Sequence, residues 1–159
     1  MRAFLSDDEE RAWNGLVEAY ESLNRSLDAR LMADHRMPLT TLEALIQIAH
    51  AEDGSISVSE LADRIRLSPS RTSRLAMELE RDGLVERQRD SADSRSTRVA
   101  ATEAGRERLL EAAPLYLSTV RGHLFDMLSE REVKQLVRIF GRMQGSRPPS
   151  AEHRAGSGD

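Results

Sequence analysis

The stretch Ser68 to Leu84, SPSRTSRLAMELERDGL, carries the start and stop signals of one complete helix. Ser68 is a favourable N-cap, and Pro69 suits the first helical position, where a missing N–H loses no intrahelical bond. Gly83 followed by Leu84 is typical of a left-handed C-terminal cap with an apolar contact behind it. The sequence therefore predicts a helix that begins after Ser68 and stops at Gly83.

The two faces of this helix differ in chemistry when residues are placed about 100° apart. One side is the predicted buried stripe, made of Thr72, Leu75, Ala76 and Leu79. The other side carries Ser70, Arg71, Ser73 and Arg74, and the helix has no acid before Glu78. Hydroxyls and N-terminal amides suit phosphates, and arginine can donate two hydrogen bonds to guanine. The face therefore suits a DNA major groove, although on this stretch alone a solvated face with incidental arginines stays open.

The flanking sequence supplies the context for this helix. Ser57-Val58-Ser59-Glu60 is a capping box, and the short helix after it ends in a turn at Arg66-Leu67, which predicts a helix-turn-helix. After Gly83 the apolar period changes towards 2, and this predicts strands at 84–89 and 97–101 around a polar loop. A hairpin in this place is a wing, whose basic residues are Arg87, Arg89, Arg95 and Arg98.

Two long amphipathic segments flank this lobe. Ser6 opens a helix of about 25 residues with Trp13, Leu16, Tyr20, Leu23, Leu27 and Leu31 on its apolar side, and Pro38 breaks the chain after it. Thr40 to Glu43 is predicted to be a second capping box, opening a short buried helix. Thr102 opens another long helix, with an apolar side predicted to comprise Leu109, Leu110, Ala113, Leu117, Val120 and Leu124. Pro114 within it is a kink or a hinge, and the kink is favoured. Ser129 to Glu132 opens a last helix.

Composition excludes several classes of protein. The 159 residues have a net charge of −4 and no cysteine, so disulfides and thiol chemistry are excluded. From Arg64 to Met77 there are nevertheless four arginines and no acid, so basic charge gathers at the proposed DNA face. No segment approaches a membrane span or a signal-peptide core, so we expect a cytoplasmic chain without membrane association.

Catalytic and metal-binding patterns are missing from the sequence. The histidines His35, His50, His123 and His153 form no pair at metal-ligand spacing within a helix. The sequence contains no Ser/His/Asp set and no Gly-rich phosphate loop. We therefore expect no enzyme activity, no cofactor and no metal.

In this order, the motifs resemble the MarR family of bacterial transcription regulators. The resemblance rests on Leu61-Ala62, Ser68 to Arg74, Leu79 to Arg87, the wing Asp90-x-x-Asp93-x-Arg95, and Thr102 to Gly105. It implies that Ser68, Ser70, Arg71, Ser73 and Arg74 face the major groove, that Arg89, Arg95 and Arg98 contact DNA from the wing, and that Asp93 orients Arg95 in the minor groove. Ser94 stands where many members have Arg, and Ala101 where Leu is usual.

These inferences predict a mainly α fold with a small β wing. The predicted regions are a helical dimerisation region (1–37 and 102–144), a winged helix-turn-helix lobe (38–101) and a disordered tail (145–159). Two apolar stripes at opposite ends of the chain leave surface for a partner to cover, so we expect a homodimer on a palindromic operator. The predicted function is a DNA-binding regulator, a repressor released by an effector. The alternative is a small-molecule- or partner-binding dimer that does not bind an operator.

Trp13 has two interpretations. It is either a residue of the dimer core, which is favoured, or a wall of an effector pocket. In the second case the resemblance implies a small aromatic or anionic effector, with Asp63 or Arg98 as candidate partners of Trp13.

Overall fold

The computed structural model describes residues 5–51, 53–89 and 96–145, and helices make up most of them. The elements in chain order are α1 (Asp7–His35), α2 (Leu39–Ala49), β1 (Ser55–Ser57), α3 (Val58–Ile65), α4 (Pro69–Arg81), β2 (Val85–Arg89), β3 (Thr97–Ala101), α5 (Glu103–His123), a 3-10 turn (Phe125–Met127) and α6 (Glu130–Gly145). The prediction of a mainly α fold with a small β wing is therefore confirmed. The chain divides into two compact units, Met1–Val120 and Arg121–Asp159.

The core of the first unit surrounds α2. Leu42, Leu45 and Ile48 of this helix are fully buried. Their neighbours in the same cluster come from every other element of the unit and include Leu31, Ile56, Leu61, Leu79, Val85, Val99 and Ala112. The three strands form an antiparallel sheet in the order β1-β3-β2, with Val99 opposite both Ile56 and Arg87. The sheet thereby fastens the wing to the helical core.

Most of the predicted helix starts are confirmed by side-chain caps. The hydroxyls of Ser57, Ser68 and Thr102 accept hydrogen bonds from the backbone N–H three residues later. Ser6 and Glu9 form a reciprocal capping box. Hydrogen bonds from Ser6 hold the pKa of Glu9 below its ordinary value. Ser6, Ser57, Ser68 and Thr102 therefore act as the N-caps that the sequence predicts.

The predicted capping box at Thr40 to Glu43 is wrong. α2 begins two residues earlier than this box implies, at Leu39, and its N-cap is Pro38, which provides no side-chain bond. The carboxylate of Asp28 in α1 instead accepts a hydrogen bond of 2.9 Å from the Leu39 N–H. A carboxylate at the positive end of a helix dipole is favourable, so a residue distant in sequence provides the cap.

The predicted apolar side of α5 is only partly covered within the single chain. Leu110 and Leu117 are 71% and 59% exposed, whereas the buried positions are Gly105, Ala112 and Thr119. The small residues allow close packing: a Cβ on residue 105 would overlap the carbonyl oxygen of Leu84. The face buried within the chain is therefore rotated away from the leucines, which remain uncovered.

The second unit contains the end of α5, the 3-10 turn and α6. Ser129 caps the start of α6, and its hydrogen bonds lower the pKa of Glu132. The apolar residues of α6 remain accessible to solvent: Val137, Ile139, Phe140 and Met143 are exposed. Of the predicted disordered tail, only Gly145, the last residue of α6, lies within the described residues. No helix of the described ranges is both long and apolar enough to cross a membrane.

Candidate nucleic-acid interface

The helix α4, called the recognition helix below, is presented by a tight turn after α3. Arg66 has a left-handed backbone with φ of 57°, and the N–H of Leu67 bonds to the carbonyl of Ala62 at 3.1 Å. A turn of two residues, Arg66 and Leu67, therefore separates α3 from the cap at Ser68. This geometry confirms the predicted helix-turn-helix.

The two faces of the recognition helix are those expected. Thr72, Ala76 and Leu79 are buried. Ser68, Ser70, Arg71 and Arg74 are exposed, and Ser73 is half-buried. Ser68 and Ser70 lie with their hydroxyl oxygens 3.3 Å apart at the start of the helix. The helix thus presents hydroxyls and guanidinium groups along one side of its N-terminal half.

The far end of the recognition helix is joined to the start of α5. The N–H groups of Gly83 and Leu84 bond to the carbonyls of Glu80 and Leu79, which is a Schellman cap. The Thr102 hydroxyl donates to the Gly83 carbonyl at 2.7 Å, and the Thr102 N–H bonds to the Leu84 carbonyl at 3.1 Å. The stop signal at Gly83 is confirmed, with φ of +73°.

The wing arginines differ in their surroundings. Arg89 is exposed at the end of β2. Arg98 is half-buried, and its guanidinium donates to the hydroxyl and the carbonyl of Ser55 at 2.9 and 2.6 Å. Arg98 therefore ties β3 to β1, a structural role that the prediction of a DNA contact did not include. Asp93 and Arg95 lie outside the described residues.

Arg87 on β2 is a residue that sequence reasoning named but did not select. Its only described hydrogen bond, within the ranges that the structure describes, joins Nη1 to Glu80 of the recognition helix at 3.3 Å. This distance is long for a charged pair. Its Nε is buried without a hydrogen-bond partner, and such a donor costs about 1–3 kcal/mol. The alternation Val85, Arg87, Arg89 was the available signal, since it puts Arg87 on the side of the buried Val85.

The predicted effector residues lie on three different elements. Trp13 is 59% exposed on α1, Asp63 is exposed on α3, and Arg98 is engaged with Ser55. Their grouping in a pocket stays a prediction.

A separate half-buried polar pair lies between α2 and α5. Burial raises the pKa of Glu43, against the opposing charge of Arg66. Burial and the Glu43 charge raise the pKa of Tyr116. No cluster of three metal-ligating side chains occurs in the part of the chain that the structure describes.

Comparison with known proteins agrees with this geometry. Residues 37–96 match the model of the MarR family. The structure superposes on that of Sco3205, a MarR family transcriptional regulator from Streptomyces coelicolor in complex with DNA, with a TM-score of 0.85 and 28% identity over 95% of each chain. AbsC, another MarR family regulator of that organism, gives a TM-score of 0.80 at 26% identity, over 90% of this chain and 99% of that one. The chain is 35% identical to the transcriptional repressor MprA of Escherichia coli (strain K12), over 65% of this chain and 58% of MprA.

The sheet, the helix-turn-helix and the exposed recognition face define a winged-helix DNA-binding protein. The matches above make the chain similar to transcription regulators of the MarR family, along 95% of its length in the case of Sco3205. The matched family and the structural neighbours are regulators rather than enzymes.

Proposed function

We propose that this regulator is a homodimeric repressor that binds a palindromic operator and is released by a small aromatic or anionic effector. The observation that carries the proposal is the exposed face of the recognition helix, where Ser70, Arg71 and Arg74 stand over a buried apolar stripe. Arginine can read guanine in the major groove, and the hydroxyls can bind phosphates. The repressor role is supported by the similarity to MprA, which is named as a repressor.

Uncovered apolar side chains at both ends of the chain support the homodimer. Within the first unit they include Trp13, Leu16, Tyr20, Leu110 and Leu117, and within the second Val137, Phe140 and Met143. Soluble chains rarely leave so many large apolar residues in contact with water. We therefore assign residues 1–37 and 102–144 to dimerisation and residues 38–101 to DNA binding. Two-fold symmetry would place two recognition helices about one DNA turn apart, which requires a palindromic site.

The effector part of the proposal follows from the resemblance and from the exposed indole of Trp13. An effector that binds two arrangements of the dimer unequally shifts their populations. If the arrangements differ in the spacing of the recognition helices, the effector also changes operator affinity. A thermal-shift screen of small aromatic acids with the wild-type protein, followed by operator binding with and without each hit, tests this part.

The DNA-binding part is tested with Arg74→Ala. Fluorescence anisotropy on duplexes from the region upstream of the gene should show that the variant loses about 1–3 kcal/mol of binding free energy and discriminates less between DNA sequences. Arg81→Ala is the matched control, since Arg81 is on the same helix but is exposed at its last turn and paired with Asp82 at 3.1 Å. Equal DNA affinities of the wild type and Arg74→Ala would refute the assignment of Arg74 to the DNA interface.

The alternative is a dimer with this fold that binds a small molecule or a partner but no operator. A wild-type protein that binds its upstream region no better than an unrelated duplex, at several salt concentrations, would favour this alternative.

A further inference from the structure

A groove lies between the recognition helix and the base of the wing. Its volume is about 440 Å³. The polar side chains that line it are Ser59 of α3, Ser73 of the recognition helix, Arg87 of β2, and Ser96 and Thr97 at the start of β3. We call this the Arg87 groove. Among the lining residues that the structure describes there are one cation, four hydroxyl groups and no carboxylate.

We propose that the Arg87 groove binds a phosphate group. In the DNA-bound regulator this would be a phosphate of the DNA backbone, located between the part of the duplex that faces the recognition helix and the part that faces the wing. The assignment to DNA rests on the function proposed above. A guanidinium with surrounding hydroxyls is the donor set that phosphate oxygens prefer.

The hydrogen-bonding state of Arg87 supports this assignment. The guanidinium has five N–H donors, and the one bond described for it, to Glu80, is 3.3 Å long. The Nε donor is buried without a partner. Arg98, one strand away, shows the contrast, since its bonds to Ser55 of 2.9 and 2.6 Å commit it to the sheet. The Arg87 side chain is 26% exposed, so its Nη groups have donor capacity that the protein itself does not use, whereas the buried Nε would not itself contact a bound phosphate.

The hydroxyl groups of the groove are also available. Ser73, Ser96 and Thr97 make no described side-chain hydrogen bond within residues 5–51, 53–89 and 96–145, whereas Ser59 contacts only the Ser57 hydroxyl, at 3.1 Å. The first residues of α3 and of the recognition helix, Val58 and Pro69, line the groove as well. The positive ends of two helix dipoles thus lie beside the cation and the hydroxyls, and this adds to the attraction for an anion.

The test measures the salt dependence of binding to an unrelated labelled duplex, because binding to a phosphate does not depend on sequence. Arg87→Gln should reduce the slope of log affinity against log salt by about 0.9 for each phosphate that the variant no longer neutralises. Arg87→Lys should retain the slope because it retains the charge, and Ser73→Ala should weaken binding without changing the slope. Arg106→Gln is the control, since Arg106 is also paired with a glutamate, Glu103, but lies outside the groove. Circular dichroism confirms that each variant is folded.

A second measurement distinguishes backbone phosphate from free phosphate. Thermal unfolding of wild type and Arg87→Gln is compared in inorganic phosphate and in chloride at equal ionic strength. A changed DNA slope without a phosphate-dependent shift in melting temperature identifies the DNA backbone as the source. A melting shift in wild type that Arg87→Gln abolishes, with an unchanged DNA slope, supports the groove but identifies a free phosphate. If Arg87→Gln alters neither measurement, the proposal is overturned. A lack of operator preference in wild type would refute the proposed function and leave this test unaffected.

Discussion

The two halves of α1 have the same apolar period but different surroundings. In the C-terminal half, Leu27 and Leu31 are buried in the core around α2. In the N-terminal half, Trp13 and Tyr20 are 59% and 57% exposed. The helix is continuous for 29 residues, so the difference does not come from local structure. Tertiary packing within one chain covers one half and leaves the other bare.

The difference teaches what an amphipathic pattern specifies. Helical periodicity fixes which side of a helix avoids water, but it does not fix whether the same chain provides the covering surface. Arg30 bonds to the hydroxyl of Thr119 in α5 at 2.6 Å, and Arg108 of α5 bonds to the carbonyl of His35. Both of these links are made by the C-terminal half of α1. That half belongs to the fold of the chain, and the N-terminal half is the part we assign to the dimer.

The largest effect is expected from Leu31→Ala. Leu31 is fully buried, so its truncation leaves a cavity and should lower the free energy of unfolding by about 2–5 kcal/mol. The denaturant midpoint should fall by the same amount at every protein concentration, because Leu31 packs against residues of its own chain. A fall that disappears at low concentration would contradict the division of α1 into two halves.

A smaller effect that depends on concentration is expected from Leu16→Ala. Leu16 is 45% exposed in the single chain, so its truncation should change the stability of that chain by no more than about 0.5 kcal/mol. The residue would occur twice in a symmetric interface, so the dimer dissociation constant should rise about tenfold. Sedimentation over a dilution series measures this constant. A wild-type chain that is monomeric throughout the series would refute the dimer.

The smallest effect is expected from Glu43→Gln at the polar pair between α2 and α5. Burial raises the pKa of Glu43, so the folded state disfavours its charged form. The resulting loss of stability is absent below the ordinary pKa, grows as the pH rises through the raised pKa, and is constant above it. Glu43→Gln should therefore raise the melting temperature at neutral pH, with a gain that shrinks in acid. An equal gain at all pH values would show that the charge is not the cause.

The local signals of the sequence predicted much of this fold. Ser57, Ser68 and Thr102 cap their helices, and Gly83 ends the recognition helix, because these effects depend on neighbours within a few residues. The cap of α2 could not be read in this way, since Asp28 lies eleven positions before Leu39. The face of α5 that is buried within the chain could not be predicted, because it depends on the close approach of Gly105 to Leu84, which is distant in sequence.

The candidate site was predicted to a similar extent. The exposed face of the recognition helix follows from helical period and is observed. The pairing of Arg98 with Ser55 depends on a strand register that joins residues 43 positions apart, and the sequence does not reveal it. Strand alternation is consistent with Arg87 on the side of Val85, but only the structure shows its unsatisfied Nε. The binding of Arg95 to DNA stays a prediction.

The hydrogen bonds that join Gly83 and Leu84 to Thr102 couple the C-terminal end of the recognition helix to the start of α5. The N-terminal end of the helix is about 19 Å away at 1.5 Å per residue. A turn of the helix by about 10° around its C-terminal end would move the N-terminal end by about 3 Å. A small rotation of α5 that is transmitted through these bonds would therefore displace Ser68 and Ser70 the most and Arg81 the least.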